Sequence, residues 1–193
     1  MKLSNSAFAC LLLLAGSALA VPAQLPLPKD SVYQLPLQLT DQQGNVWDWR
    51  IKRGKPQVVA MFYTSCQFTC PLIVDSGKTI EHALTPAEKT RVGLLLISID
   101  PKRDTPAALM SVFNKRGLDS ARWALASPKP ADVRGVAGVL GVRYRQLADG
   151  DFNHTSGLVL LDREGRIVKR SEQVGSLLDP AFIASVRRTI DLP

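Results

Sequence analysis

Apolar and polar positions follow two different patterns along the chain, with a change near residue 56. Before this point, residues 33–40 and 46–50 form two short strand-like segments around the polar segment 41–45, which predicts a β-hairpin. After it, the nearly continuous apolar runs 57–63 and 92–99 are typical of strands buried on both faces. Shorter strands are predicted at 122–126, 157–161 and 166–170.

Helical segments alternate with these strands. They are predicted at 71–84, from 85, from 105, at 131–140 and at 179–190. After the hairpin, the order β-α-β-α-β-α-β-β-α favours an α/β three-layer sandwich with a mixed sheet, parallel at its centre and antiparallel at its edge. The final β-β-α unit, with a cysteine pair between the first buried strand and its helix, is the layout of a thioredoxin-like fold with an added N-terminal β-hairpin.

The first 20 residues have the composition of a cleavable signal peptide. Lys2 is followed by an apolar stretch at 7–15 and by small residues that end in Ala18-Leu19-Ala20. This stretch is shorter than the roughly 20 apolar residues of a stable membrane span. We therefore expect export to a periplasm-like compartment with no transmembrane anchor after processing. A Pro-rich extended lead-in at 21–31 and a single domain at 32–193 would follow.

Composition and charge exclude several classes of protein. The 193 residues are 46% hydrophobic and 21% charged with a net charge of +7, which is typical of a globular chain and not of a disordered one. Lys and Arg are scattered without aromatic residues between them, so we expect no nucleic-acid partner. Cleavage would also remove Cys10, and Cys66 and Cys70 would then be the remaining cysteines in an oxidising compartment.

Cys66 and Cys70 lie between a buried strand and the helix that begins near Pro71. In open α/β sheets, this carboxyl end of the strands is where ligands bind. The amide groups and dipole of a helix N-terminus stabilise a thiolate, so the pair is a candidate for redox activity or for binding a soft metal ion. Cu(I) favours thiolates, whereas structural Zn(II) sites take four ligands.

A third ligand separates these alternatives. His154 lies in the polar segment 150–156, which in a thioredoxin-like sheet meets the first strand–helix loop, and it is the candidate ligand. His82 lies near the end of the first helix, where we expect a structural or solvent-exposed role. Thiol–disulfide oxidoreductases carry a cis-proline in the segment that holds His154, but residues 131–179 contain no proline. A metal ligand at that position is the interpretation we favour.

Three segments of the sequence resemble the Sco/SenC family of copper-binding proteins. They are Cys66-Gln-Phe-Thr-Cys70-Pro71, the stretch 97–106 with Asp100-Pro101, and Asn153-His154-Thr155, and the resemblance covers roughly residues 30–192. It implies a thioredoxin-like fold with copper held by Cys66, Cys70 and His154. It also implies a role for Asp100 beside the copper, although Asp100 followed by proline is equally a turn signal.

The resemblance implies a metallochaperone that binds Cu(I) and Cu(II) and is not an enzyme in the strict sense. It would deliver copper to the binuclear copper centre of a cytochrome c oxidase subunit, or would keep the cysteines of that centre reduced. A periplasmic thiol reductant would be a second partner. The alternative is a periplasmic thiol–disulfide oxidoreductase that uses Cys66 and Cys70 without metal. A purely structural disulfide is a third interpretation, but so small a loop adds little stability.

Overall fold

The computed structural model describes residues 26–66, 69–175 and 178–191, and at residues 69 and 70 it describes the backbone. The predicted signal peptide at 1–20 and the start of the lead-in at 21–25 lie outside the described residues. In the ranges that are described, every helix is too short or too polar to cross a membrane.

The centre of the molecule is a seven-stranded sheet in the order β2-β1-β5-β4-β3-β8-β9. Its three middle strands run parallel and are β3 (Gln57–Phe62), β4 (Gly93–Ser98) and β5 (Trp123–Pro128). All six residues of β3 and of β4 are buried, so other elements cover both faces of the sheet, as in a three-layer sandwich. The nearly continuous apolar runs that predicted these strands reflect this burial on two sides.

Antiparallel strands form both edges of the sheet, so the predicted mixed sheet is confirmed. The N-terminal hairpin of β1 (Gln38–Asp41) and β2 (Val46–Asp48) pairs with β5. At the other edge, β8 (Leu158–Leu161) pairs with β3 and β9 (Ile167–Ser171) pairs with β8. The predicted strand at 33–40 is shorter in the structure because Val32–Gln34 forms a 3-10 turn capped by Ser31.

The described residues form five α-helices, of which four lie between strands and the fifth follows β9. They are α1 (Thr69–Ala83), α2 (Pro86–Thr90), α3 (Pro106–Lys115), α4 (Val133–Leu140) and α5 (Pro180–Asp191). The side chain of Thr105 caps α3, and proline follows at the first helical position as predicted. Two right-handed crossovers in the same direction, β3-α1-β4 and β4-α3-β5, place α1 and α3 on one face of the sheet. There Lys78 of α1 donates to the carbonyl of Arg116, just after α3.

A second, small sheet was not predicted. Its strands are β6 (Tyr144–Gln146) and β7 (Phe152–His154), which pair antiparallel so that Tyr144 faces His154. The sequence predicted no strand within the polar segment 150–156, and this expectation is wrong for the three residues of β7. Each strand is partly exposed and has three residues, and a strand of this length is too short for an alternating pattern to be recognised.

Candidate metal centre

The loop that follows β3 and contains Cys66, here called the cysteine loop, lies at the carboxyl ends of β3 and β4. Phe62 and Ser98 are paired as the last residues of these strands, so the loops that follow them meet at one edge of the sheet. Cys66 is half-buried there, and its amide donates to the carbonyl of Tyr63 in a turn (3.3 Å). Cys70 is the second residue of α1, so it lies at the start of the helix as predicted. Its side chain is not described, and the approach of the two sulfur atoms stays a prediction.

Asp104 fixes the start of the cysteine loop. Its carboxylate is almost fully buried, with 1% of the residue exposed. It accepts hydrogen bonds from the Thr64 amide (3.0 Å), the Thr64 hydroxyl (2.6 Å) and the Ser98 hydroxyl (2.5 Å). Burial raises the pKa of Asp104, although these hydrogen bonds favour its charged form. Asp104 therefore ties the loop after β3 to the end of β4. The cap of the helix that follows, α3, is Thr105 and not Asp104.

His154 presents one ring nitrogen to the site. Its Nδ1 lies 3.1 Å from the carbonyl oxygen of Thr155, which accepts only, so Nδ1 carries the proton and Nε2 keeps its lone pair. Nε2 is buried, and it has no hydrogen-bond partner among the residues that the structure describes. Burial lowers the pKa of His154, which favours the neutral ring. A neutral imidazole with an unprotonated Nε2 is the form that binds a metal ion.

Tyr63 lies between the cysteine loop and the β6–β7 hairpin. Its ring contacts the rings of Phe152 and His154 edge to face, with centroids 5.6 and 5.9 Å apart. Its hydroxyl donates to the carbonyl of Phe152 (3.3 Å). Burial, together with a hydrogen bond to Cys66, raises the pKa of Tyr63 to about 12, so the phenol stays protonated at neutral pH. Tyr63 thus contacts both Cys66 and His154.

Arg103 joins the loop after β4 to the same hairpin. Its guanidinium pairs with the buried carboxylate of Asp100, and it donates to the carbonyl of Gly150 (2.9 Å) and to Asp151 (3.3 Å). It also lies over the ring of Tyr63, 5.8 Å from the centroid. We predicted Asp100 as a residue beside the metal, and the contact that the structure shows for its carboxylate is this pair with Arg103.

Sequence reasoning missed Tyr63, Arg103 and Asp104 as parts of the site. The one available signal was the position of Arg103 and Asp104 in the same stretch as Asp100, at 97–106. His82 is exposed in the last turn of α1, where a structural or solvent-exposed role was expected. Among the described side chains, no three His, Cys, Asp or Glu residues form a metal-binding group. The side chain of Cys70 is not among the described side chains.

Fold and site together define a thioredoxin-like α/β protein with a cysteine pair at the start of its first helix and a histidine on an adjacent hairpin. The sequence model of the SCO1/SenC family matches residues 27–190. The chain belongs to this family.

Individual relatives agree with this assignment. The chain is 26% identical over 140 residues to a SCO2-like protein of Rickettsia prowazekii, and the matched region covers 69% of this chain and 66% of that protein. This chain thus spans just under two thirds of the length of that relative. The structure of Bradyrhizobium japonicum ScoI with copper bound is similar at 28% identity and a TM-score of 0.67, over 80% of this chain and 98% of that one. A SCO1/SenC family lipoprotein of Bacillus anthracis shares the fold, with a TM-score of 0.72 at 22% identity over 81% of this chain and 94% of that one.

Proposed function

We propose that this protein is an exported copper chaperone that binds Cu(I) and Cu(II) through Cys66, Cys70 and His154. It delivers the copper to a client enzyme, or it keeps the client's cysteines reduced. The membership in the SCO1/SenC family and the likeness to a copper-bound ScoI support copper as the cargo. Thiolate and imidazole are the ligands that copper prefers, and two thiolates with one imidazole give a low-coordinate site suited to Cu(I).

The observation that carries the proposal is the buried Nε2 of His154, for which the described part of the chain supplies no hydrogen-bond partner. A buried ring nitrogen without a hydrogen bond is costly, so it is expected where a ligand completes it. The Thr155 carbonyl fixes the tautomer, and hydrogen bonds of this kind orient the histidine ligands of metal sites. Tyr63 adds support because it contacts both the ring of His154 and the side chain of Cys66.

The test is a titration of the reduced protein with Cu(I) and with Cu(II). We expect Cu(I) binding to require both cysteines and Cu(II) binding to require His154 as well. Changes in residues that only orient ligands alter metal affinity by about 10- to 100-fold, so His154→Ala should weaken Cu(II) binding by at least about tenfold. His82→Ala, at the exposed second histidine, is the matched control. Equal copper affinity in the wild type and in the Cys66→Ala/Cys70→Ala double variant would contradict the proposal.

The proposal places the protein in the periplasm after removal of the signal peptide. Its client is a copper enzyme, with the binuclear copper centre of cytochrome c oxidase as the leading candidate, and a periplasmic thiol reductant returns the cysteine pair to its reduced state. The family assignment supports this client. The test mixes the copper-loaded protein with the isolated copper domain of the oxidase. Transfer of copper is monitored through the absorption of the binuclear centre as it forms.

Thiol–disulfide exchange without metal is the second candidate. It is favoured by the position of Cys66, which is half-buried on the wall of an open cleft and so accessible to another molecule. The two functions differ in their need for His154. Rapid reduction of a protein disulfide that His154→Ala leaves unchanged, in a protein that does not bind copper, would favour this second function.

A further inference from the structure

A cleft of about 500 Å³ opens beside Cys66, within the size range of specific ligand pockets. It lies between the cysteine loop, α1 and α3. Apolar side chains from these elements form part of its lining, including Phe62, Val74 and Val112. Cys66 itself is a lining residue. The proposed copper ligand His154 is not among the lining residues, but Tyr63, whose ring contacts that of His154, is one of them.

The charged side chains of the cleft are positive. Lys115 and Arg116 line it, and the described lining residues include no carboxylate. Arg116 is ion-paired with Asp75 of α1, so its charge is largely offset. Lys115 lies exposed in the last turn of α3, and Lys78 lies close by because its amine donates to the Arg116 carbonyl. An apolar wall with a cationic edge fits a ligand that combines an apolar group with a negative charge.

We propose that this cleft docks an extended segment of a partner protein that carries an apolar side chain next to a carboxylate. The apolar side chain enters between Val74 and Val112, the carboxylate faces Lys115, and a cysteine of the segment is thereby brought to the sulfur of Cys66. The proposal rests on the proposed function, because the partner is the client or the reductant whose cysteine exchanges with Cys66. It adds the surface and the chemistry by which that partner is recognised.

Activated peptides test the docking without copper. The probes are three synthetic heptapeptides that are identical except for Glu, Gln or Lys beside a leucine, each with one cysteine carried as its 2-thiopyridyl disulfide. The thiolate of Cys66 attacks the peptide sulfur, a Cys66–peptide disulfide forms, and the sulfur–sulfur bond to the pyridyl group breaks. The cysteine is oxidised and the pyridinethiolate leaves with the electron pair, so its absorbance reports the rate. Cys10→Ser/Cys70→Ser protein leaves Cys66 as the single thiol.

In metal-free protein, we expect the rate to saturate with peptide concentration and to fall in the order Glu, Gln, Lys. Because partly exposed charge pairs are weak, we expect a change in rate of up to about fivefold per step. Lys115→Glu should reverse the order. Rates with the neutral reagent iodoacetamide correct for any change in the reactivity of the thiolate itself.

Lys29→Glu is the matched control, since it makes the same charge change at the opposite edge of the sheet. Lys29 is exposed, and it lies three residues before Val32, whose amide donates to the Gly165 carbonyl in the β8–β9 turn. That turn follows Leu161, which pairs with Gln57, the first residue of β3. Lys29 is therefore near the amino end of β3, whereas Cys66 follows its carboxyl end. Lys29→Glu should leave the order unchanged. Equal rates for the three peptides, or equal effects of the two variants, would overturn the proposal. Copper titration of the same variants is a separate readout, so a failure of docking and a failure of copper binding are distinguishable.

Discussion

At the scale of single residues, the chemistry of the site depends on which nitrogen of His154 carries the proton. The Thr155 carbonyl accepts a hydrogen bond from the protonated Nδ1, and burial keeps the ring neutral. The same burial that prepares Nε2 for a metal ion makes protonation of the folded protein unfavourable. The preference for a neutral ring is therefore both a condition for metal binding and a source of pH-dependent stability.

This residue should make the metal-free protein less stable in mild acid. The pKa of His154 is lowered in the folded state, so below about pH 6.5 the unfolded chain takes up a proton that the folded chain resists. The free energy of unfolding should then fall between about pH 7.5 and about pH 5.5, and His154→Asn should reduce that fall. Urea denaturation at the two pH values measures it. His82→Asn is the control, and an equal effect of the two variants would contradict the assignment.

Residue types also decide how much of the site the sequence could predict. Cys66, Cys70 and His154 could be singled out because few side chains bind soft metals and the chain carries only two histidines. Tyr63 and Arg103 could not, because tyrosine and arginine are common and their roles come from contacts between distant segments. Tyr63 meets residues 152 and 154, about 90 positions further along the chain, and no local pattern records such a contact.

At the scale of elements, strands buried on both faces were predictable and the half-exposed hairpin was not. β3 and β4 stand out because each is apolar at nearly every position. The two strands of the β6–β7 hairpin have three residues each, and their short ladder is held to the main sheet through other loops. Arg103 and Tyr63 make those contacts, so the position of His154 depends on residues outside its own hairpin.

We therefore expect Arg103 to act as a positioning residue for His154. Arg103→Ala removes its bonds to Asp100, Asp151 and the Gly150 carbonyl, and should weaken Cu(II) binding by about tenfold. Cu(I) held by the two thiolates should be much less affected. The electron paramagnetic resonance spectrum of the Cu(II) form should also change, since the imidazole would no longer be held in one orientation.

Two further variants make this test specific. Arg103→Lys keeps the charge but not the planar fork, so it should restore binding only in part. Arg145→Ala removes an exposed arginine from β6 of the same hairpin and should leave the spectrum unchanged. If Arg103→Ala and Arg145→Ala behaved alike, the contacts of Arg103 would have no role in orienting the histidine.

At the scale of the whole molecule, stability is distributed unevenly around the site. Cys66 follows a fully buried strand in the middle of the seven-stranded sheet, whereas His154 ends a partly exposed strand of a separate two-stranded ladder. Partly exposed ladders open locally more often than buried sheet centres. Copper that is bound by both parts would connect the least stable part of the site to the most stable one, and so would suppress the opening of the hairpin.

Hydrogen exchange of the backbone amides tests this connection. In metal-free protein, the amides of β6 and β7 should exchange through local opening, and Cu(II) at about 100 times its dissociation constant should slow them by up to about 100-fold, because opening requires release of the metal. The amides of β2 are the internal control, since this strand is also at an edge but belongs to the hairpin beside β5. Local opening of β2 leaves the proposed copper ligands in place, so copper should not change the exchange rates of the β2 amides. In His154→Ala the slowing of β6 and β7 should disappear. Equal slowing of β2 and β7 would mean that copper stabilises the fold as a whole and does not bridge the two sheets through His154.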